Sequence, residues 1–191
     1  MPKQTNRQTN TDMPKPKFIV IDTSICCLYF DIQYMNTHET ETPATVRAAI
    51  ERETVAGAKM ILPFVVIIET GNHIAHIADG NIRRIKVEEF TTFVTDCLEG
   101  NRPWMPFNGQ DRLYTLDKMK ELLETWKGRA IPNKDSIGDV SITAIAEFYA
   151  CAMSNYDVLI YTLDEGLRAY SPSERANELL NVPAPPRRKK N

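Results

Sequence analysis

Three short apolar segments, separated by longer amphipathic ones, are the feature that most restricts the fold of this chain. They cover residues 17–21, 60–68 and 157–162, and each ends at an acidic residue. Their apolar residues are continuous rather than alternating, which is typical of a strand buried on both faces of a parallel sheet. Strands that alternate with helices in one domain favour an α/β fold. We therefore expect a three-layer α/β/α sandwich with a central, mostly parallel sheet.

The segments between the predicted strands carry apolar residues at helical spacing. The second predicted helix begins at Thr42-Pro43 and stops at Gly57, and both are typical signals of helix boundaries. The resulting order is β, α, α, β, α, α, α, α, β, α. Helices are predicted over 24–36, 43–56, 70–78, 81–99, 111–127, 137–152 and 171–180, with a connection over 101–110.

The length of 191 residues allows one main domain with appendages. Residues 1–16 and 183–191 are too polar or too rich in proline and charge to bury a core, so we expect a disordered polar arm and a basic, proline-rich tail. The domain is then expected over 17–182, with extra helical length around 81–135.

The chain shows no segment that predicts a membrane span. Its longest apolar run, 60–68, has nine residues, against roughly 20 for a spanning helix. Residues 1–12 lack the apolar stretch of a secretory signal. The four cysteines form no C-x-x-C pair, which favours reduced thiols over a zinc or disulfide framework. We therefore expect a cytoplasmic protein with no membrane partner.

Four acidic residues stand where a parallel sheet places its ligands. Asp22, Glu69 and Asp164 end the three predicted strands, and Asp139 opens a predicted helix behind Gly138. Ligands of open parallel sheets bind beyond the carboxyl ends of the strands. Four carboxylates at one edge would repel one another unless a cation neutralised them. The sequence therefore predicts a metal site made of these four acids.

Carboxylate oxygens suit hard cations, so we expect one or two Mg²⁺ or Mn²⁺ ions. Such ions activate water and stabilise the charge that develops on a phosphodiester, which makes nucleic-acid hydrolysis the natural chemistry. The four acids are then both metal ligands and catalytic residues. Supporting side chains are expected from Thr23, Ser24, Thr162 and Asn72.

Together these motifs resemble the PIN-domain nucleases over about 150 residues. The resemblance rests on residues 20–24, 63–69, 138–139 and 160–164, in that order. It implies an α/β/α fold, a Mg²⁺- or Mn²⁺-dependent endoribonuclease and a homodimer, and the four acids match the acidic positions of the family. Many compact members are toxins that cut RNA and are silenced by an antitoxin protein. This chain departs from the family in its long middle segment, its polar N-terminal arm and the lack of a clear strand after Asp164.

Other interpretations of the same residues stay open. The aspartates could simply cap strands and helices, and Glu69 could lie in a solvated first helical turn. Glu69, His73 and His76 share a helix face and could bind a transition metal. A non-catalytic PIN-like module that binds RNA or protein, and a DNA-directed nuclease, are the alternative functions.

Several other enzyme classes lack their motifs. A haloacid-dehalogenase phosphatase needs a second Asp where this chain has Ser24, and Ser24 has no recognisable base to make it a nucleophile. Neither G-x-G-x-x-G after the first strand nor a P-loop motif is present.

Contacts to RNA must come from local basic groups, because the formal net charge is −2. The tail could add sequence-independent phosphate affinity or simply aid solubility, and the helix cations could form only a solvated face. Trp104 and Phe107 could either stack on bases or anchor the core. The candidate cations are Arg83, Arg84 and Lys86, then Arg102, Lys127 and Arg129, and in the tail Arg187, Arg188, Lys189 and Lys190.

Overall fold

The computed structural model describes residues 15–32, 41–106 and 109–173. The strands are β1 (Lys17–Ile21), β2 (Lys59–Leu62), β3 (Trp104–Pro106) and β4 (Asp157–Tyr161). The helices are α1 (Thr23–Tyr29), α2 (Pro43–Val55), α3 (Phe64–Ala75), α4 (Gly80–Leu98), α5 (Leu116–Asn133), α6 (Ile137–Ala152) and α7 (Glu165–Arg168), and Gln110–Tyr114 forms a 3₁₀ helix.

The four strands form one parallel sheet in the order β3-β2-β1-β4. The helices flank this sheet, which confirms the predicted α/β/α sandwich. The chain adds β2 and β3 on one side of β1 and then returns to place β4 on the other side. The strand order therefore reverses between β1 and β4, and such a switch point is where open α/β sheets form a crevice beyond the carboxyl ends of the strands.

Strand β1 lies at the centre of the core. Ile19, Val20 and Ile21 are at most 1% exposed, as expected for a strand covered on both faces. Burial of each such side chain is worth about 1.5–3 kcal/mol relative to exposure. The carboxyl end of β1 is therefore held rigidly, and Asp22 follows it directly.

The predicted second strand over 60–68 is wrong beyond Leu62. Pro63 ends β2 and is the N-cap of α3, since proline donates no ladder hydrogen bond and suits a helix start. The β-branched run after it is helical, because packing of one face against α1 and α4 overrides strand propensity. Glu69 is therefore in the second turn of a helix rather than at the end of a strand.

Strand β3 lies within the segment that the sequence predicts as a connection. It has three residues and pairs with β2 through Met60–Trp104 and Leu62–Pro106. Proline is tolerated because β3 is an edge strand. Trp104 is buried, with its ring centroid 5.0 Å from that of Phe93, so this side chain anchors the core. Phe107 lies outside the described residues.

Other helix boundaries also differ from the predicted ones. α1 ends at Tyr29 instead of residue 36, and residues 33–40 lie outside the described ranges. Helix α5 passes through Gly128 to Asn133, and the segment before it is a 3₁₀ helix. Helix α6 has the predicted bounds.

Residues 171–173 run along the free edge of β4 and are not helical, contrary to the prediction for 171–180. The hydroxyls of Ser171 and Ser173 accept the N–H groups of Ile160 and Val158, and the Ser173 N–H donates to Val158 O at 3.1 Å. These hydrogen bonds give partners to backbone groups of β4 that would otherwise be open to pairing with another chain. The rest of that predicted helix, the arm up to residue 14 and the tail over 183–191 lie outside the described residues.

None of the helices in the described ranges is both long and apolar enough to span a membrane. The four cysteines are free thiols, of which Cys26, Cys27 and Cys97 are buried and Cys151 is exposed.

Candidate active site

Asp22 is the buried centre of the candidate site. It follows β1 as the N-cap of α1, and its side chain accepts the N–H groups of Thr23 at 2.6 Å and Ser24 at 3.4 Å. Two hydroxyls also donate to its Oδ2, that of Ser24 at 2.5 Å and that of Thr162 at 2.7 Å. The carboxylate is thus fixed by four donors, all of them neutral.

Burial raises the pKa of Asp22, and the hydrogen bonds from Ser24, Thr162 and Thr23 oppose this shift. The residue is only 7% exposed. Ionisation of the Asp22 carboxylate at this buried position therefore costs free energy, and a cation beside it would lower that cost.

Glu69 is joined to Asp22 through Thr23. From the second turn of α3, its Oε2 accepts the Thr23 hydroxyl at 2.5 Å. Its carboxylate also lies against the backbone of Gly138 near the start of α6, where a Cβ atom would overlap Oε1 and lie 3.2 Å from Cδ. The missing side chain at residue 138 is what lets α3 and α6 approach each other here.

Asp139 belongs to the capping box of α6. Its Oδ2 accepts the Ser136 N–H at 2.7 Å, and its own N–H donates to Ser136 Oγ at 3.0 Å. The backbone of Asp139 directly follows the Gly138 that contacts Glu69, so the start of α6 lies beside Glu69. Its carboxylate, however, is engaged with the helix terminus.

Asp164 is the N-cap of α7 and is exposed. Its Oδ1 accepts the N–H groups of Gly166 at 2.6 Å and Leu167 at 3.2 Å. Its own N–H donates to the hydroxyl of Thr162, the same hydroxyl that binds Asp22. Asp164 is thus coupled to Asp22 through one side chain.

A chain of hydrogen bonds therefore runs from Glu69 through Thr23, Asp22 and Thr162 to the backbone of Asp164. It crosses the switch point between β1 and β4. No salt bridge to any of the four acids occurs among the described residues, where nine ion pairs are found elsewhere. Asp22, Glu69 and Asp164 are thus linked at the carboxyl edge of the sheet without a side-chain cation to compensate them, and Asp139 follows the glycine that contacts Glu69.

The oxygen atoms available as ligands belong to carboxylates and hydroxyls, which is the chemistry that a hard cation prefers. In the part of the chain that the structure covers, no three His, Cys, Asp or Glu side chains form a group that could hold a metal ion. Neither the four acids nor Glu69, His73 and His76 make a closed ligand set as they stand. The metal site remains a prediction.

Asn72 lies one turn beyond Glu69 on α3 and is exposed. Its carbonyl accepts a hydrogen bond from the His76 ring at 2.7 Å, within the same helix. Among the described contacts, none joins its side chain to the site acids. The supporting role predicted for Asn72 therefore gains no contact from the structure.

The basic residues predicted on the domain surface are engaged within the chain. Arg84 pairs with Glu88 and Lys86 with Glu89 along α4, while Arg83 donates to Ile77 O. The other three pair with neighbouring acids in Arg102–Asp96, Lys127–Glu124 and Arg129–Asp135. Arg187, Arg188, Lys189 and Lys190 lie outside the described residues.

Ser136 and Arg168 contribute to the site and were not predicted from the sequence. Ser136 could have been found, because S-x-x-D before an apolar run is a capping-box signal. Arg168 gives no such signal, yet its Nη2 holds Thr162 O at 2.9 Å and so steadies the residue that bridges Asp22 and Asp164.

No family model matches the chain, and no curated protein matches it significantly.

Proposed function

We propose that this chain is a Mg²⁺- or Mn²⁺-dependent endoribonuclease that hydrolyses RNA phosphodiester bonds. The observation that carries the proposal is Asp22, a buried carboxylate at the switch point of the sheet with neutral donors around it and with Glu69 and Asp164 linked to it through Thr23 and Thr162. A divalent ion is the group that would compensate the charge of such a site. PIN-domain nucleases, which the sequence resembles, have acids at these positions.

In this proposal Asp22 and Asp164 hold the main ion, and Asp139 and Glu69 complete the set directly or through water. When bound, the ion supplies an activated water and stabilises negative charge on the phosphate. The chain's own residues do the positioning. Thr23 ties Glu69 to α1, Thr162 and Ser24 orient Asp22, and the Gly138 backbone leaves room for the Glu69 carboxylate.

A second candidate function is a non-catalytic PIN-like module that binds RNA or a protein. It is favoured by the fact that Asp22, Asp139 and Asp164 all serve as helix caps. Caps stabilise helices by about 0.5–2 kcal/mol each, so these acids have a structural use without an ion.

Melting curves in the presence of Mn²⁺ separate these two functions. A ligand that binds only the folded state stabilises it by about 2.7 kcal/mol at a hundred times its Kd. The nuclease predicts a rise in melting temperature that Glu69→Gln removes, together with cleavage of unstructured RNA that stops with chelator. No rise and no cleavage would overturn the nuclease proposal, and RNA binding by such a chain would then support the binding module. Cleavage of single-stranded DNA in place of RNA would support the DNA-directed nuclease.

The remaining parts of the proposal concern partners and location. We propose a cytoplasmic homodimer that acts as a toxin and is silenced by an antitoxin protein covering the acidic edge. A short neighbouring reading frame for a DNA-binding protein would support this, and light scattering after gel filtration would measure the oligomer.

A further inference from the structure

Helix α5 is covered on one side only. It lies wholly within the described ranges, packs mainly against α6 and the 3₁₀ helix, and buries only Leu122 among its eighteen residues. Single exposed apolar residues are common on protein surfaces, whereas a continuous apolar patch marks an interaction site. The arrangement of the exposed apolar residues of α5 therefore decides what they mean.

A row of apolar side chains runs along one flank of α5. Successive members are three, four, three and four residues apart, the pattern of a coiled-coil seam that lies on one side of a helix. Leu116 is 73% exposed, Leu123 44% and Trp126 36%, so the fold itself leaves the row largely uncovered. The members of this apolar seam are Leu116, Met119, Leu123, Trp126 and Ala130.

Trp126 is held in place within the apolar seam. Its indole N–H donates to the carbonyl oxygen of Asp135 at 3.1 Å. A side chain that is already fixed loses little conformational freedom on binding, and tryptophan is enriched among the residues that dominate protein interfaces. Trp126 therefore has the properties of an anchor for a partner.

Lysines border the apolar seam on its solvent side. Lys120 and Lys127 each follow a member of the seam by one residue, and their side chains are 68% and 71% exposed. Lys134 continues the seven-residue spacing at the end of the helix. The nearest acids, Asp117 and Glu124, lie 3.9 and 3.7 Å from the first two lysines, and such exposed ion pairs contribute little. The seam thus presents a positive border to a partner.

The other border of the apolar seam carries no acid. Its positions, again seven residues apart, are Thr115, Leu122 and Arg129, of which Leu122 is buried and Arg129 is paired with Asp135. A second copy of α5 would set lysines against lysines in an antiparallel pair, and lysines against these three residues in a parallel pair. Neither arrangement brings opposite charges together, so the seam is a poor match for itself.

The charge of α5 also argues against a lipid surface as the partner. The helix carries four basic and three acidic residues, a net charge of only +1. Helices that bind anionic membranes combine a broad apolar face with a strongly basic polar face. The narrow seam with one positive border fits a single helix better.

We propose that the apolar seam of α5 binds an acidic amphipathic helix of another protein. The partner places apolar residues at heptad spacing on the seam and Glu or Asp beside Lys120 and Lys127. None of the seam residues belongs to the candidate active site. The inference therefore goes beyond the nuclease proposal and does not depend on it.

Two synthetic peptides of three heptads test this inference with the full chain. Both carry Leu at the two core positions, and the positions beside them are Glu in one peptide and Lys in the other, so like charges oppose pairing of each peptide with itself. We expect the Glu peptide to bind about tenfold more tightly at low salt, measured by anisotropy of a fluorescent label. Binding should also shift the emission of Trp126 to shorter wavelength, since Trp104 is already buried. Equal affinity for the two peptides would refute the charge complementarity.

Variants of α5 show whether the peptide lies on the seam. Leu123→Ser removes a central apolar side chain and should weaken binding about tenfold or more. Ile131→Ser is the matched control, because Ile131 is 82% exposed but lies about 100° round the helix from Ala130, and it should change affinity by less than about twofold. Lys120→Glu combined with Lys127→Glu should reverse the preference toward the Lys peptide. Equal losses in the two serine variants, or an unchanged preference in the double variant, would overturn the inference.

The same chain and variants test the other occupants. A dimer, measured by light scattering after gel filtration, that Leu123→Ser separates would assign the seam to a second copy. Binding to vesicles of phosphatidylcholine and phosphatidylserine at lower protein concentration than to the Glu peptide, lost in Leu123→Ser, would assign it to a membrane. Either result overturns the inference, as does the absence of binding to the Glu peptide. All measurements are made in chelator without RNA, so failure of the nuclease proposal leaves them unaffected.

Discussion

The hydroxyl of Thr162 donates to Asp22 Oδ2 at 2.7 Å across 140 residues of sequence. The same oxygen accepts the Asp164 N–H at 3.0 Å. One side chain thus joins the carboxyl ends of β1 and β4, the two strands between which the sheet order reverses. Substitution of Thr162 tests the network most directly.

Thr162→Val keeps the shape of the side chain but removes both hydrogen bonds. A buried carboxylate and a backbone N–H then lose a partner, which costs about 1–3 kcal/mol of unfolding free energy. Urea denaturation measures this loss, and Thr162→Ser, which keeps the hydroxyl, is expected to recover most of it. A Val variant as stable as the unmodified chain would show that the hydroxyl has no structural role.

Asp22→Asn is expected to stabilise the chain at neutral pH. Burial raises the folded pKa of Asp22, so its contribution to stability is present below its unfolded pKa, near 3.8, and is lost as the pH rises through the folded value. Asn caps a helix as well as Asp and carries no charge. Melting at acidic and neutral pH should show the gain mainly at neutral pH, on the order of 1 kcal/mol or roughly 2–4 °C.

The Asp22→Asn variant should also lose any stabilisation by Mn²⁺. A variant that is equally destabilised at both pH values would mean that the carboxylate stabilises the fold in its charged form.

Gly138→Ala is expected to destabilise the chain by about 1–3 kcal/mol, because the added Cβ overlaps the Glu69 carboxylate. Displacement of Glu69 would also break its bond with Thr23. Gly128→Ala is the matched control, since that helical glycine of α5 has no atom within 4 Å of an added Cβ. There alanine should stabilise the helix by about 0.5–1 kcal/mol. Thermal melts that move both variants in the same direction would contradict the packing described.

Thiol labelling distinguishes the four cysteines. Burial raises the pKa of Cys26 to about 12 and that of Cys97 to about 11, and it also raises the pKa of Cys27. The thiolate is the reactive form, so these three should resist a thiol reagent at mildly alkaline pH. Exposed Cys151 should react in the folded chain, and all four cysteines should react in denaturant. Rapid labelling of Cys26 in the folded chain would contradict the buried position of α1.

Asp139→Asn and Asp139→Ala separate the chemistry of Asp139 from its capping. Asn keeps an acceptor for the Ser136 N–H, whereas Ala removes it and should cost about 1 kcal/mol. The nuclease proposal requires both variants to lose RNA cleavage. Full activity in the Asn variant would remove Asp139 from the site.

Several features of this protein could be predicted from local sequence. The apolar runs at β1 and β4 and the full extent of α6 are confirmed, because burial on both faces and helical spacing leave periodic patterns. The positions of Asp22 and Asp164 after their strands follow from those runs. Their use as caps also fits the preference of Asp for helix starts.

Tertiary structure decided what local pattern could not. The run after Pro63 is rich in β-branched residues, which predicts a strand, yet packing makes it helical. Glu69 therefore lies within a helix and not at the end of a strand. Strand β3 is only three residues long, and its pairing with β2 is a long-range contact without a local signal.

The same holds for the site itself. Nothing in the sequence near Gly138 shows that Glu69 lies against it, or that one threonine bridges Asp22 and Asp164. Local sequence determines which residues can start, end or fill an element, since those choices depend on neighbours in the chain. Which elements meet depends on how the whole core is buried, and that alone linked Asp22 to Glu69 through Thr23 and to Asp164 through Thr162.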